Sequence, residues 1–351
     1  IRTTTVMGAG RAAIGISIEI RNVEPRAREF RLDLRCAGGV VRDDRSWNTP
    51  YSPQEGPRIS VTPWEGDPPP AALRSNRVHA VPALGAVEFT STGSRAYCLQ
   101  GAAPAPDRIE GTRLAWRIAL AKGGRWKGFY ADLVGRDPFA LRAEWEAIRR
   151  APEALLKEAR GFWESQVRDA FTPDNGRFSG HLPILRTRDA GLRRLYLNVA
   201  ATLLYFRRTS PGAVNGVAYT TLMPRYWVPT SFVNDTALAA GALAQLDPLA
   251  MRGMVEHWLE LDLHKCFGSS QMTGDPVGNG YGVNDFALCR IARAYLAATQ
   301  DRGWLAKKVA GRSVQGHLSR AASAWKKRDL RGRGLADYGG RNSLLECVGS
   351  Y

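Results

Sequence analysis

The sequence predicts a chain in two parts: an antiparallel β-sandwich over residues 1–135 and an α/α toroid over residues 172–351, joined by a linker helix region over residues 136–171. Three observations predict it. Short runs of alternating apolar and polar residues fill the first third of the chain. At Asp137-Pro138 the pattern switches to helical periodicity without β-branched runs. From residue 189 onward, helices are joined alternately by long polar loops and short turns, as when one end of a helical ring carries a site.

Each β element has its own signal. Residues 3–6 alternate, and so does IGISIEIRNV, which places Ile14, Ile16, Ile18 and Ile20 on one face. EFRLDLR repeats the pattern with Phe30, Leu32 and Leu34. Further strands are expected over residues 87–90, 95–100 and 114–120, with Pro- and Gly-rich turns over 49–57 and 63–70. The helical part opens with PFALRAEWEAIRRAPEALLKEARGFWESQVRDAF, divided at Pro152, and residues 172–183 form a loop. Asp189 can cap a helix with Leu192, Leu195, Tyr196, Val199, Leu203 and Phe206 on one face. A helix over 249–263 follows the central stretch described next, then a glycine-rich loop over 265–282 that holds Asp275, Asn279 and Tyr281. Asn284 and Asp285 begin a helix with Phe286, Ile291, Ala294, Tyr295 and Ala298 inward, and a last helix is expected over 302–327.

The helical part is organised around RYWVPTSFVNDTALAAGALAQLDP. A loop with Arg225, Tyr226, Trp227, Asn234 and Asp235 runs into a small-residue helix with Phe232, Ala239, Leu243 and Leu246 on one face, capped by Thr230 or Ser231. Asp247-Pro248 then stops it and opens the next helix. Arg and Asp can grip hydroxyls, and Trp or Tyr can stack on a sugar ring. The same Asp235 would serve equally as a complement to the helix dipole.

Composition narrows the function classes. With 44% hydrophobic and 23% charged residues in 351, the chain suits roughly two globular domains. The net charge of +16 is spread through every segment, and the densest cluster (Lys326, Lys327, Arg328, Arg331, Arg333) is short. No zinc-finger spacing or RNA-binding signature accompanies it, so no nucleic-acid partner is expected. No apolar run approaches the ~20 residues of a membrane span. Five cysteines without CxxC spacing fit a reduced compartment. The chain begins Ile-Arg-Thr with no signal-peptide pattern, and the expectation is a cytoplasmic protein whose N-terminus is missing. The histidines form no paired-ligand motif, and His257 and His264 read as two residues of a helix surface. No metal and no cofactor are expected.

FVNDTALAAGALAQLDP, GYGVNDFALCRIARAYLAATQDRGWL and GLADYGGRNSLLECVGSY together resemble the six-hairpin glycosidases, within them the group of processing α-glucosidase I, mannosylglycerate hydrolase and trehalase. The resemblance runs from about residue 160 to Tyr351. Two positions depart from it. Asn234 stands where the group has a Trp before its sugar-binding Asp, and Leu345-Glu346-Cys347-Val348-Gly349-Ser350 replaces an acid motif that contains an Asp.

The resemblance implies a glycoside hydrolase acting on an α-linked oligosaccharide or small glycoside with two carboxyl groups. Asp337 and Glu346 are the candidate catalytic acids in the last loop. Asp235 is the candidate for gripping sugar hydroxyls, with Asn234, Arg225, Trp227, Tyr281 and Asp285 around the substrate. Two alternatives stand beside it: an epimerase, lyase or phosphorylase on the same toroid, and a non-catalytic carbohydrate-binding component. A six-hairpin toroid takes about twelve helices, two per hairpin. Five or six are legible from residue 189 onward, so the chain is expected to be part of a longer one, with a partner carboxylate beyond Tyr351.

Overall fold

The computed structural model describes residues 1–38, 40, 76–209, 213–214, 216–221, 230–271, 273–277 and 281–334. They divide into two compact units, with the division between residues 164 and 165. The first is β-rich and the second helical, so an antiparallel β region is followed by helices, as the periodicities predict.

In the first unit the strands are β1 (Arg2–Met7), β2 (Ala13–Arg21), β3 (Arg28–Arg35), β4 (Asn76–Val81), β5 (Ala86–Ser91), β6 (Tyr97–Ala103), β7 (Arg108–Glu110), β8 (Arg113–Leu120) and β9 (Arg125–Gly135). Six form an antiparallel sheet in the order β1-β2-β9-β6-β5-β4, and three form a second in the order β3-β8-β7. A core of Ile18, Ile20, Phe89, Cys98, Leu114, Trp116 and Ile118 lies where the two sheets face each other. Alternation is what allows this: Cys98 points into that core, while Tyr97 and Leu99 point to the opposite face. In β2, Ile16, Ile18 and Ile20 face the core as predicted, whereas Ile14 near the strand's start is exposed.

Helices α1 (Pro138–Arg150) and α2 (Pro152–Ala170) follow. Asp137 caps α1 by accepting from the backbone N–H groups of Phe139 and Ala140. Leu141, Trp145 and Ile148 of α1 and Leu155 of α2 bury the second face of the large sheet. The fully buried Trp145 donates to the Leu84 carbonyl at 2.8 Å. Its ring lies against Gly101, where an added Cβ would come within 2.4 Å of the indole, so only glycine admits this approach.

The second unit contains α3 (Ala190–Phe206), the pairs β10 (Arg207–Arg208) and β11 (Ala218–Tyr219), then β12 (Thr230–Phe232), α4 (Val233–Leu246) and α5 (Pro248–Glu260). After these come β13 (Gly268–Ser270), β14 (Pro276–Val277), α6 (Asn284–Thr299), the hairpin β15 (Lys308–Val309) and β16 (Arg312–Ser313), and α7 (Val314–Ser323). Val233, Ala237, Leu243, Met251, Trp258, Ile291 and Tyr295 meet in its core. Small residues on α4 and α6 let these two helices pack closely.

Four local expectations are corrected. Thr230 and Ser231 do not cap α4; both lie in β12, and the Val233 N–H is taken by the Phe267 carbonyl. The helix expected over 302–327 is interrupted: Asp301 caps a 3₁₀ turn over Arg302–Ala306, and left-handed Ala310 and Gly311 then turn the chain between β15 and β16. Phe286 is exposed, because Asn284, Ala287, Leu288, Ile291 and Tyr295 define the buried face of α6. Asp189 does cap α3, but Leu192, Leu195 and Val199 are exposed and the buried residues are Ala200, Leu203 and Leu204.

The turn between α4 and α5 is held by Asp247, which is 4% exposed. One carboxylate oxygen accepts from the Ser179 hydroxyl at 2.8 Å, and the other from the Tyr219 hydroxyl at 3.1 Å and Arg207 Nε at 3.4 Å. Gly180 presses against the same turn, donating to the Leu246 carbonyl, where a Cβ would strike the Gln245 carbonyl at 2.2 Å. Asp247→Ala leaves Arg207, whose side chain is 11% exposed, without its counter-ion, and the expected loss of stability is about 3–5 kcal/mol. Chemical denaturation checks this. A loss of only about 0–1 kcal/mol would place the pair with surface ion pairs.

Candidate functional site

The sequence-predicted residues fall into three groups. Asp337, Glu346, Arg225 and Trp227 lie outside the described residues. Asn234 and Asp235 sit half-buried in the first turn of α4. Tyr281 is half-buried just before α6, and Asp285 lies in the first turn of that helix.

The head of α4 is built on a small antiparallel sheet. Thr230 pairs with Ser270 and Ser231 with Ser269 across β12 and β13, and β14 extends the sheet. Thr230, Ser231, Ser269, Ser270 and Gln271 are all buried. Thr221 donates its hydroxyl to Asp235 Oδ2 at 2.6 Å. Among the described residues, the hydroxyls of Thr220 and Ser231 and both amide atoms of Gln271 have no hydrogen-bond partner. Buried polar atoms of this kind ordinarily find a partner, and a water or a ligand hydroxyl would supply one.

Asp285 belongs to a different constellation, a cavity of about 390 Å3 among the end of α5, the head of α6, the β15–β16 turn and α7. Its construction starts from Asn284. That buried side chain donates to the carbonyls of Leu263 (3.2 Å) and Cys266 (2.8 Å), pinning the loop after α5 against the head of α6. The pinned loop brings His264 Nε2 to 3.7 Å from Asp285 Oδ1. Arg328 Nη2 lies 3.5 Å from the other ring nitrogen, His264 Nδ1. If the guanidinium donates to Nδ1, the imidazole proton sits on Nε2, facing the carboxylate.

Burial pushes the Asp285 carboxyl above the ordinary carboxylate range, against the pull of His264, Arg328 and Arg320. Glu260 and Asp262 line the same cavity, as do Arg312, His317 and Arg320. His317 is held by a 2.9 Å contact to the Val309 carbonyl. A carboxyl group raised by burial, in a cavity with other carboxylates and fixed hydrogen-bonding groups, is suited to proton transfer.

The sequence offers Asp285 as a substrate-binding candidate beside Asp235, and it offers His264 either as a helix-surface residue or, for an epimerase, on a pocket loop. His264 is not on a helix surface; it lies in the loop that Asn284 pins. Asp262, Arg312 and Arg320 carry no local motif, and only the packing of α5, α6 and α7 brings them together. Among the described residues no group of three His, Cys, Asp or Glu side chains could hold a metal ion. Cys36, Cys98, Cys266 and Cys289 are free thiols, and no helix among the described residues is long and apolar enough to cross a membrane.

The raised carboxyl also fixes a pH dependence. Folded Asp285 holds its proton above the unfolded value of 3.8, so its contribution to stability is fully present below that pH and is lost as pH rises through the folded pKa. Asp285→Asn removes this loss. In thermal denaturation across a pH series, the variant should gain on the parent as pH rises from 4 upward. A variant that loses ground over the same range would contradict the assignment.

No family model and no curated protein matches the chain. Among solved structures, a putative kojibiose phosphorylase from the human microbiome aligns with a TM-score of 0.43 at 8% sequence identity. The alignment covers 84% of this chain and 39% of that chain.

Proposed function

We propose that the chain is a carbohydrate-active protein that hydrolyses an α-linked glycoside, that its helical unit belongs to an α/α toroid, and that the Asp285 cavity is its reaction site. The observation that carries this reading is the half-buried Asp285 carboxyl, raised by burial, in a cavity that also holds Asp262 and Glu260. Its 390 Å3 falls within the ~300–1,000 Å3 of small-ligand pockets.

Glycoside hydrolysis needs one carboxylic acid that keeps its proton and one carboxylate that does not. In this reading Asp285 protonates the departing glycosidic oxygen as the bond to the anomeric carbon breaks. The partner carboxylate takes a proton from the water that attacks that carbon; alternatively it attacks the carbon itself, and a water that gives its proton to the Asp285 carboxylate then displaces it and frees the sugar. Asp262 is the candidate partner within the cavity, and Asp337 and Glu346 are the candidates from the last loop. Asp235, with Asn234, grips substrate hydroxyls from the head of α4, and Arg225, Trp227 and Tyr281 are the further candidates for substrate binding.

The test compares Asp285→Asn, Asp262→Asn, Asp337→Asn and Glu346→Gln in protein shown to be folded, by release of reducing sugar with and without inorganic phosphate. Asp285→Asn and one partner variant should lose about 100-fold or more in kcat. Near-normal turnover by Asp285→Asn would remove it from the chemistry. Turnover that requires phosphate would replace hydrolysis by phosphorolysis. A glycan that binds with no product released would favour the non-catalytic reading.

A further inference from the structure

Two guanidinium groups line the Asp285 cavity beside its acids. Each acid that lines it already has a basic neighbour: Asp285 has His264 at 3.7 Å, Asp262 has Lys265 Nζ at 3.5 Å, and Glu260 has His257 Nδ1 at 3.6 Å. Arg312 and Arg320 line the cavity as well; neither guanidinium has a hydrogen bond or ion pair among the described residues, and Arg320 acts on the Asp285 carboxyl only through space. Arg312 stands at the end of the β15–β16 turn, just ahead of Ser313, which caps α7. Arg320 lies farther along α7, three residues beyond His317, which lines the cavity too, so helical spacing brings the two to one face.

Two guanidinium forks therefore line a cavity large enough for a small ligand. A guanidinium binds a carboxylate or a phosphate through paired N–H donors, and such bonds are about twice as strong as neutral ones. The carboxylates of the same cavity are acceptors suited to hydroxyls. One ligand fits both halves: a hydroxylated small molecule together with an oxyanion.

We propose that Arg312 and Arg320 form an oxyanion subsite of the Asp285 cavity, so that the site takes a sugar carrying a phosphate or carboxylate group, or a sugar with free phosphate beside it. The proposal rests on the reading of this cavity as a carbohydrate site. It adds the charge of the ligand, which that reading leaves open.

The experiment is calorimetric titration of the full chain with four probes: inorganic phosphate, a hexose phosphate, a hexuronate and a neutral hexose. Each is repeated in Arg312→Gln/Arg320→Gln and in Arg312→Lys/Arg320→Lys. Both arginines are exposed, and a thermal melt confirms that each variant is folded. The glutamine variant should lower the ratio of charged to neutral affinity by about tenfold or more, the size of a lost charge-assisted hydrogen bond. The lysine variant should recover part of it, because the charge returns without the fork.

Binding of phosphate alone, dependent on the arginines, identifies a free oxyanion. Binding only of the hexose phosphate or hexuronate places the charge on the sugar. Either result upholds the subsite. Charged and neutral hexoses bound alike, or no dependence on the arginines, overturns the subsite and leaves the carbohydrate reading in place. Arginine-dependent phosphate binding with no sugar bound in any form upholds the subsite and overturns the carbohydrate reading. No binding of any probe overturns the subsite.

Discussion

The helical unit depends on the carboxylate of Asp247. It sits where α4 ends and α5 begins, it is nearly fully buried, and three side chains from three separate segments converge on it: Ser179, Arg207 and Tyr219. A buried carboxylate is tolerated only when its lone pairs are filled, and here two hydroxyls and a guanidinium fill them. The Asp247 knot therefore fixes the angle between α4 and α5 and ties both to the segment before α3. Through α5 it sets the position of Trp258 and Leu259, which enter the core and also form one wall of the Asp285 cavity. The chemistry proposed for Asp285 is downstream of this packing.

A second constraint acts at the opposite wall. Asn284 spends its side-chain amide on two carbonyls of the loop after α5, and the next residue is the acid whose carboxyl is raised. Neighbouring positions in one helical turn thus divide the work: one fixes the loop, and the other faces the cavity that the loop encloses. The global charge of +16 bears on this cavity only through the few cations that face it. Burial raises the Asp285 carboxyl and outweighs the lowering by His264, Arg328 and Arg320. The outcome is a group that holds its proton to higher pH than an exposed aspartate would.

Much of this fold is legible in the sequence, because periodicity reports burial directly. Ile16, Ile18 and Ile20 alternate because one face of β2 meets a second sheet, and Asp137-Pro138 starts α1 with both a capping side chain and a preset φ. The Asp-Pro stop after α4 was legible as a helix boundary but not as the centre of a hydrogen-bond network, because Ser179, Arg207 and Tyr219 reach it only through tertiary contact. The candidate site was half legible for the same reason. Asp285 stood out at a helix start, whereas His264 had the spacing of a surface residue and Arg312 and Arg320 were two among many scattered arginines. The helix expected over 302–327 failed at Ala310-Gly311, where the turn demands left-handed backbone and the flanking residues otherwise look helical.

The central claim is that Asp285 gives a proton to a departing sugar oxygen, and the most direct measurement is the dependence of turnover on the leaving group. A general acid matters in proportion to how poorly the leaving group departs unaided. For Asp285→Asn, kcat/KM on a glycoside with an alkyl or sugar leaving group should fall by about 100-fold or more, while an aryl glycoside with an acidic phenol should retain most of its rate. Equal losses on both substrates, in folded protein, would contradict the claim and assign Asp285 to binding or to structure.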